Sequence, residues 1–244
     1  MREENPFEDP QGAKEWIATV ENERGSVRDK EIYPQLAVWV GQYTPKTIVD
    51  LGAGQGICSI KLGTDTVEYV GVEPSETLVA RAKELYGAPY RKFLKGSAYD
   101  IPLPDGYAEA CFSITTWFHL KDLDTASREL ARILKPEGHF MIITPNPNAY
   151  DVWETFYSDI MRKGKVFIGK TRILLNPGED AKNYRFSELS KNTFYLHTLA
   201  DMTQSLEKSS LVIDAIDEMG LLPISKGKNI FITILGHKPA TTDQ

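Results

Sequence analysis

A chain of 244 residues, 41% hydrophobic and 25% charged, has the make-up of a folded globular protein rather than a disordered or fibrous one, and it can bury a core without a metal or disulfide staple. Its 28 Lys and Arg against 34 Asp and Glu leave a net charge of −6, which argues against a broad electropositive face for nucleic acid. No apolar run approaches the roughly 20 residues of a membrane span, and the polar start Met1-Arg2-Glu3-Glu4-Asn5 has no signal-peptide core behind it, so a cytoplasmic protein with no membrane partner is expected.

Residues 1–46 carry an acidic start, a short helical stretch around Trp16 and a second helix over about 30–42. Strands are then expected at 47–51, 67–72, 90–94, 110–115 and 140–144, where β-branched and aromatic residues run into glycine or polar turns. Between the second and third, Ser75 reads as an N-cap, Leu78, Val79, Ala82, Leu85 and Tyr86 recur at helical spacing, and Gly87 reads as the stop. A later helix opens at Asp124, places Ala126, Leu130, Ile133 and Leu134 on one face and ends at Pro136. Residues 146–197 form an aromatic-rich insertion. A helix opened by Thr198, with Asp201 three residues on, carries Leu199, Met202 and Leu206 on one face. Two strands close the chain, at 211–216 and 229–235, and at least one must run antiparallel. This alternation predicts an α/β fold: a Rossmann-like, doubly wound, mostly parallel seven-stranded sheet with an antiparallel last strand. Cys58 and Cys111 each sit in an apolar stretch and read as buried free thiols.

The most informative segment is Val49-Asp50-Leu51-Gly52-Ala53-Gly54-Gln55-Gly56, which leaves a strand, turns on three glycines and enters a helix. Gly52 permits the sharp turn and Gly54 lets a ligand approach the backbone. Glu73 ends the second strand 19 residues after Gly54, where a doubly wound sheet sets a carboxylate against ribose hydroxyls. The G-x-G-x-G spacing differs from the G-x-G-x-x-G of dinucleotide sites.

The glycine loop, then Val70-Gly71-Val72-Glu73-Pro74-Ser75, then Gly96-Ser97-Ala98-Tyr99-Asp100-Ile101-Pro102, then Leu130-Ala131-Arg132-Ile133-Leu134-Lys135-Pro136-Glu137-Gly138 resemble the successive motifs of class I S-adenosylmethionine-dependent methyltransferases of the small-molecule type. The resemblance implies a single domain: a helical extension over 1–46, a cofactor-binding core over 47–145, an acceptor-side lid insertion over 146–197, and a final helix and strands over 198–244. It implies S-adenosyl-L-methionine as cofactor. Gly52, Ala53, Gly54 and Gln55 would line its methionine part, with Asp50 bracing the loop and reaching the amino group directly or through water. Glu73 would hold the ribose, Pro74, Ser75, Ser97, Ala98 and Tyr99 would border the adenine, and Ser113, Ile114 and Thr115 would face the sulfonium. Ser97 replaces an Asp found in many members, and Glu137 a frequent glycine. Trp16, Arg28 and Tyr33 belong to an extension of the kind that folds over the cofactor.

Methyl transfer from a sulfonium requires alignment, exclusion of water and sometimes a base. No metal is called for, and the four histidines lack metal-ligand spacing. Thr115-Thr116-Trp117-Phe118-His119-Leu120 lacks both the Asn/Asp-Pro-Pro-aromatic signature of nucleic-acid amino-methyltransferases and the paired glutamates of protein-arginine enzymes, which favours a small-molecule acceptor. His119 is either a general base or a hydrogen-bonded packing histidine, and His197 either a site or a structural residue. Trp117, Trp153, Tyr157 and Tyr195 are expected to line the acceptor pocket. Two alternatives compete: a non-catalytic cofactor-binding module or regulatory partner, and, disfavoured by the glycine spacing, a nicotinamide-dependent oxidoreductase.

Overall fold

Strands β1 (Thr47–Leu51), β2 (Glu68–Glu73), β3 (Arg91–Lys95), β4 (Ala108–Ile114), β5 (Leu134–Pro145), β8 (Val212–Leu221) and β9 (Asn229–His237) make one sheet in the order β3-β2-β1-β4-β5-β9-β8. The computed structural model describes residues 7–21, 26–62, 67–149, 182–185, 191–195, 197–221 and 227–241. All neighbours from β3 to β5 pair in parallel, and β9 runs antiparallel to both β5 and β8, as the alternation of elements predicts. A separate antiparallel pair, β6 (Lys182–Arg185) with β7 (Lys191–Phe194), lies within the insertion.

Successive strand residues point to opposite faces, and the core divides accordingly. Ile48, Ala110, Phe112, Met141 and Ile143 pack on one side with Leu36, Trp39 and Val40 of α2 (Tyr33–Tyr43) and Val79 and Ala82 of α4 (Glu76–Tyr86). Val49, Leu51, Cys111, Phe140 and Ile142 pack on the other, with Leu123, Leu130 and Ile133 of α5 (Leu123–Ile133) and Met202 and Leu206 of α6 (Leu199–Lys208). Among the described residues, the other α-helices are α1 (Pro10–Glu21) and the single turn α3 (Cys58–Lys61), with a π-helical turn, Arg28–Ile32, leading into α2. Cys58 and Cys111 are buried free thiols.

Local chemistry sets the boundaries. Ser75 caps α4 by accepting from the Leu78 amide, and Thr198 and Asp201 form the reciprocal capping box of α6. The fifth helix starts one residue before the expected Asp124, because Asp122 is the side chain that caps it, accepting from Thr125 N at 3.0 Å. It stops at Ile133 rather than Pro136: Leu134 is already paired with Ala108, so the chain passes straight into β5. Glu137 has φ 62, the left-handed backbone that explains glycine's frequency there, and its N–H donates to Lys238 O at 2.8 Å.

Candidate active site

The carboxyl ends of β1, β2 and β4 meet at the glycine loop. Gly52, at φ 80, turns the chain so that its own N–H and that of Ala53 both donate to Val72 O, at 2.8 and 3.1 Å. A Cβ on Gly52 would lie 2.0 Å from Thr116 Oγ1, so the loop packs against the segment after β4 only because that residue has no side chain. Gly54 N–H donates to Glu73 Oε2 at 3.0 Å, which ties the loop to the end of β2.

Two carboxylates are buried here. Glu73, 6% exposed, also accepts from Ser75 N at 2.9 Å. Burial pushes it up to about 7, against the downward pull of those two backbone N–H groups. Asp50, 2% exposed, accepts from the Tyr69 hydroxyl at 2.5 Å. Burial pushes it too up to about 7, with the Tyr69 hydrogen bond opposing and the nearby Glu73 adding to the rise. Among the described residues neither carboxylate is in an ion pair. Gln55, between the second and third glycines, is buried with its Oε1 lacking a partner among the described residues. This set of acceptors around a glycine cradle fits a ligand that brings hydroxyl and ammonium donors, as the ribose and amino-acid parts of S-adenosylmethionine do.

Other expected cofactor residues divide between the cleft and its framework. Pro74 and Ser75 follow Glu73 directly. Ser97 Oγ accepts from Tyr99 N at 3.3 Å in a half-buried turn that includes Ala98. The Tyr99 hydroxyl accepts from Lys121 N at 2.7 Å and so braces the approach to α5. Ser113 and Ile114 are framework: Ser113 Oγ donates to Leu51 O at 2.9 Å, joining β4 to β1, and Ile114 packs in the core. Thr115 leaves the strand at φ 53, and its Oγ1 accepts from Arg28 Nη2 at 3.2 Å.

Phe7, Trp16 and Arg28, all ahead of the first strand, lie over this cleft. Trp16 Nε1 is 3.3 Å from where a Gly54 Cβ would stand, and the Arg28 guanidinium lies 5.0 Å from the Trp16 ring centre. Phe7 sets its ring edge-on to both Trp16 and His119, and its carbonyl accepts from the Ser75 hydroxyl. Trp16 and Arg28 stand out in sequence as an aromatic and a cation ahead of the first strand. Phe7, Tyr69 and Thr116 carry no comparable signal.

On the acceptor side, half-buried His119 lies between Phe7 and Phe118, with ring centres 5.6 and 4.1 Å away. His197 Nε2 lies 2.6 Å from Leu120 O, so that nitrogen carries the donating proton, and burial holds the imidazole below its ordinary range. Tyr195 stacks beside His197, and its N–H donates to Phe118 O at 2.7 Å. The structure thus brings His119, Tyr195 and His197 to one segment. Trp117, expected in the acceptor pocket, is instead 1% exposed in the core with Leu120 and Leu123, where so large an apolar surface is most favourably placed. Trp153 and Tyr157 lie outside the described residues, and among the described residues no group of His, Cys, Asp or Glu could hold a metal.

Residues 49–142 match the family model described as a methyltransferase domain. The chain is 27% identical to the O-methyltransferase resE of Aspergillus sclerotiorum over 132 residues, 49% of this chain and 48% of that one. It is 27% identical to the uncharacterized methyltransferase YcgJ of Bacillus subtilis over 197 residues, 78% of this chain and 71% of that one. It spans about half the length of several of the curated relatives it matches. The fold is shared with a solved S-adenosylmethionine dependent methyltransferase from Mesorhizobium loti, at TM-score 0.63 and 17% identity over 88% of this chain and 99% of the other. Glycine loop, strand order and family match agree on an S-adenosylmethionine-dependent methyltransferase domain over residues 49–142.

Proposed function

We propose that the protein transfers a methyl group from S-adenosylmethionine to a small, partly apolar acceptor. The observation that carries this reading is Glu73, a buried carboxylate held by Gly54 N–H and Ser75 N–H that, among the described residues, meets no cation. Each carboxylate oxygen retains a lone pair for a ribose hydroxyl. The cofactor, when bound, supplies an electrophilic methyl on a good leaving group. The chain's own residues then bind, orient and exclude water. Gly52 to Gln55 present backbone and amide groups to the amino-acid part, Glu73 holds the ribose, and Phe7 and Trp16 cover the cleft.

The rings of Phe7, Phe118, His119, Tyr195 and His197 support an acceptor with an apolar body. Held neutral by burial, and with Nε2–H directed to Leu120 O, His197 has Nδ1 as its basic nitrogen. Together with His119 it is the candidate for taking a proton from the acceptor.

A thermal-stability scan with S-adenosylmethionine, S-adenosylhomocysteine and nicotinamide cofactors tests the reading. A ligand present at 100 times its dissociation constant stabilises by about 2.7 kcal/mol, and the expected result is a shift with both adenosyl compounds. A shift with NAD and none with either adenosyl compound would overturn it.

A further inference from the structure

We infer that Tyr69 is a positioning residue of the cofactor site: its hydroxyl, 2.5 Å from Asp50 Oδ2 beneath the glycine loop, holds that carboxylate ionised and oriented for the ammonium group of the bound cofactor. The inference rests on the adenosyl-cofactor reading above. Its starting point is register. In the parallel pair of β1 and β2, Tyr69 stands opposite Ile48, and Asp50 opposite Gly71. The position facing Asp50 has no side chain, and any Cβ there would meet Phe93 at 2.7 Å and Ala53 at 2.8 Å. The space beside Asp50 is reached instead by the phenol from two residues earlier on β2, on the same face of the sheet.

Tyr69 is 2% exposed, and its ring packs beside Phe93 and Phe112, with centres 5.8 and 6.5 Å away. A phenylalanine would fill that apolar space equally well, so the hydroxyl is the feature that needs an explanation. The titratable groups facing Asp50 are Tyr69 and Glu73 from β2, Cys58 from α3 and Cys111 from β4, with Tyr33 of α2 facing Tyr69. None of these is a cation. Burial drives Asp50 toward its neutral form, the Tyr69 hydroxyl opposes that, and burial keeps Tyr69 itself protonated and therefore a donor. Near neutral pH the Tyr69 hydroxyl, with a smaller pull from the Cys58 thiol, therefore sets how much of Asp50 is charged. A protonated Asp50 attracts an ammonium group far less than a carboxylate does.

Two ligands separate Asp50 from Glu73, which titrates in the same range. S-adenosylhomocysteine carries the amino-acid ammonium, whereas 5′-methylthioadenosine keeps the ribose and lacks it. Affinities of both for the wild-type chain, Tyr69→Phe and Asp50→Asn are measured by calorimetry from about pH 5.5 to 8.5, a range spanning the shifted carboxylates. In the wild type, the affinity for S-adenosylhomocysteine should climb more steeply through neutrality than that for methylthioadenosine. Tyr69→Phe should move this extra rise upward by about one pH unit, as expected on losing a hydrogen bond to a charged group, and leave the methylthioadenosine profile in place. Uniform weakening at every pH, or equal shifts for both ligands, would overturn the inference, since packing loss or Glu73 would then account for the effect. If Tyr69→Phe fails to fold, Asp50→Asn decides: the difference between the two ligands' profiles must vanish, and its persistence refutes the role. A wild-type chain that binds neither ligand refutes the cofactor reading itself.

Discussion

Two sets of carboxylates in this molecule have opposite surroundings. Glu129 of α5 accepts from Arg132 Nε at 2.7 Å and from Ile101 N at 2.8 Å, and the guanidinium beside it holds it below the ordinary carboxylate range. Arg132 goes on to donate to Ile101 O, Leu103 O and Asp105, so this ion pair fastens the segment after β3 to the helix and is complete within the protein. Among the described residues the donors to Asp50 and Glu73 are uncharged, and both carboxyls are pushed up to about 7. A carboxylate that stabilises a fold has its counter-charge in the fold. One that is kept for a ligand costs stability until the ligand brings its donors.

Glu73→Gln should break the second half of that contrast with the largest effect. Two charge-assisted bonds to the ribose are weakened, and S-adenosylhomocysteine should bind roughly tenfold to a hundredfold more weakly at pH 8, at about 1.5–3 kcal/mol per such bond before geometry is discounted. Unchanged affinity by calorimetry would mean that the ribose is held elsewhere. Stability should move the other way. A carboxyl raised from 4.5 to about 7 binds more protons folded than unfolded between those values, so its contribution is present below 4.5 and is lost as pH rises through about 7. The melting temperature of Glu73→Gln relative to wild type, measured without ligand, should therefore rise between pH 5 and pH 8. The ceiling is about 3 kcal/mol, from one pKa unit being about 1.4 kcal/mol.

The same contrast shows what could be read from sequence. Gly52, Gly54 and Glu73 were legible because backbone geometry demands them at fixed spacing: a left-handed turn, a close approach, and a strand end beside it. A mostly parallel sheet was legible in the alternation of elements, but the order of its strands was not. For Trp117 and Ser113, order along the chain says that they end or follow a strand but not which way each side chain turns. Trp117 turned into the core and Ser113 toward Leu51 O. Phe7 and Tyr69 left no trace, since both act through partners far away in sequence, at Ser75 and Asp50. Register between β1 and β2 decides the second of these contacts, and register is a tertiary property.

Glu129→Gln is the matching change on the structural side, with a smaller and opposite effect. Its carboxyl is lowered, so its contribution is present above the ordinary carboxylate range and is lost as pH falls through the lowered value. The variant should lose about 1 kcal/mol at pH 7, and the loss should shrink on acidification, whereas Glu73→Gln shows its relative gain on going alkaline. Adenosyl affinity of the Glu129 variant should stay within about twofold of wild type, an energy difference below RT ln 10. A larger loss would make the 96–105 segment, which Glu129 anchors through Ile101 N, part of the adenine wall in its own right.

The smallest effect is expected where both partners are in water. Lys95 and Glu76 meet at 3.0 Å with side chains 59% and 83% exposed, and Glu76 is only three residues from Glu73 in sequence. Solvent screening and the freedom of two long side chains leave such a pair close to neutral in stability. Lys95→Gln should therefore change neither the melting temperature nor the affinity for S-adenosylhomocysteine measurably, at low or at high salt. A salt-dependent loss of affinity would show that the surface charge beside β2 reaches the cleft, and that the uncharged donors around Glu73 are not its whole environment.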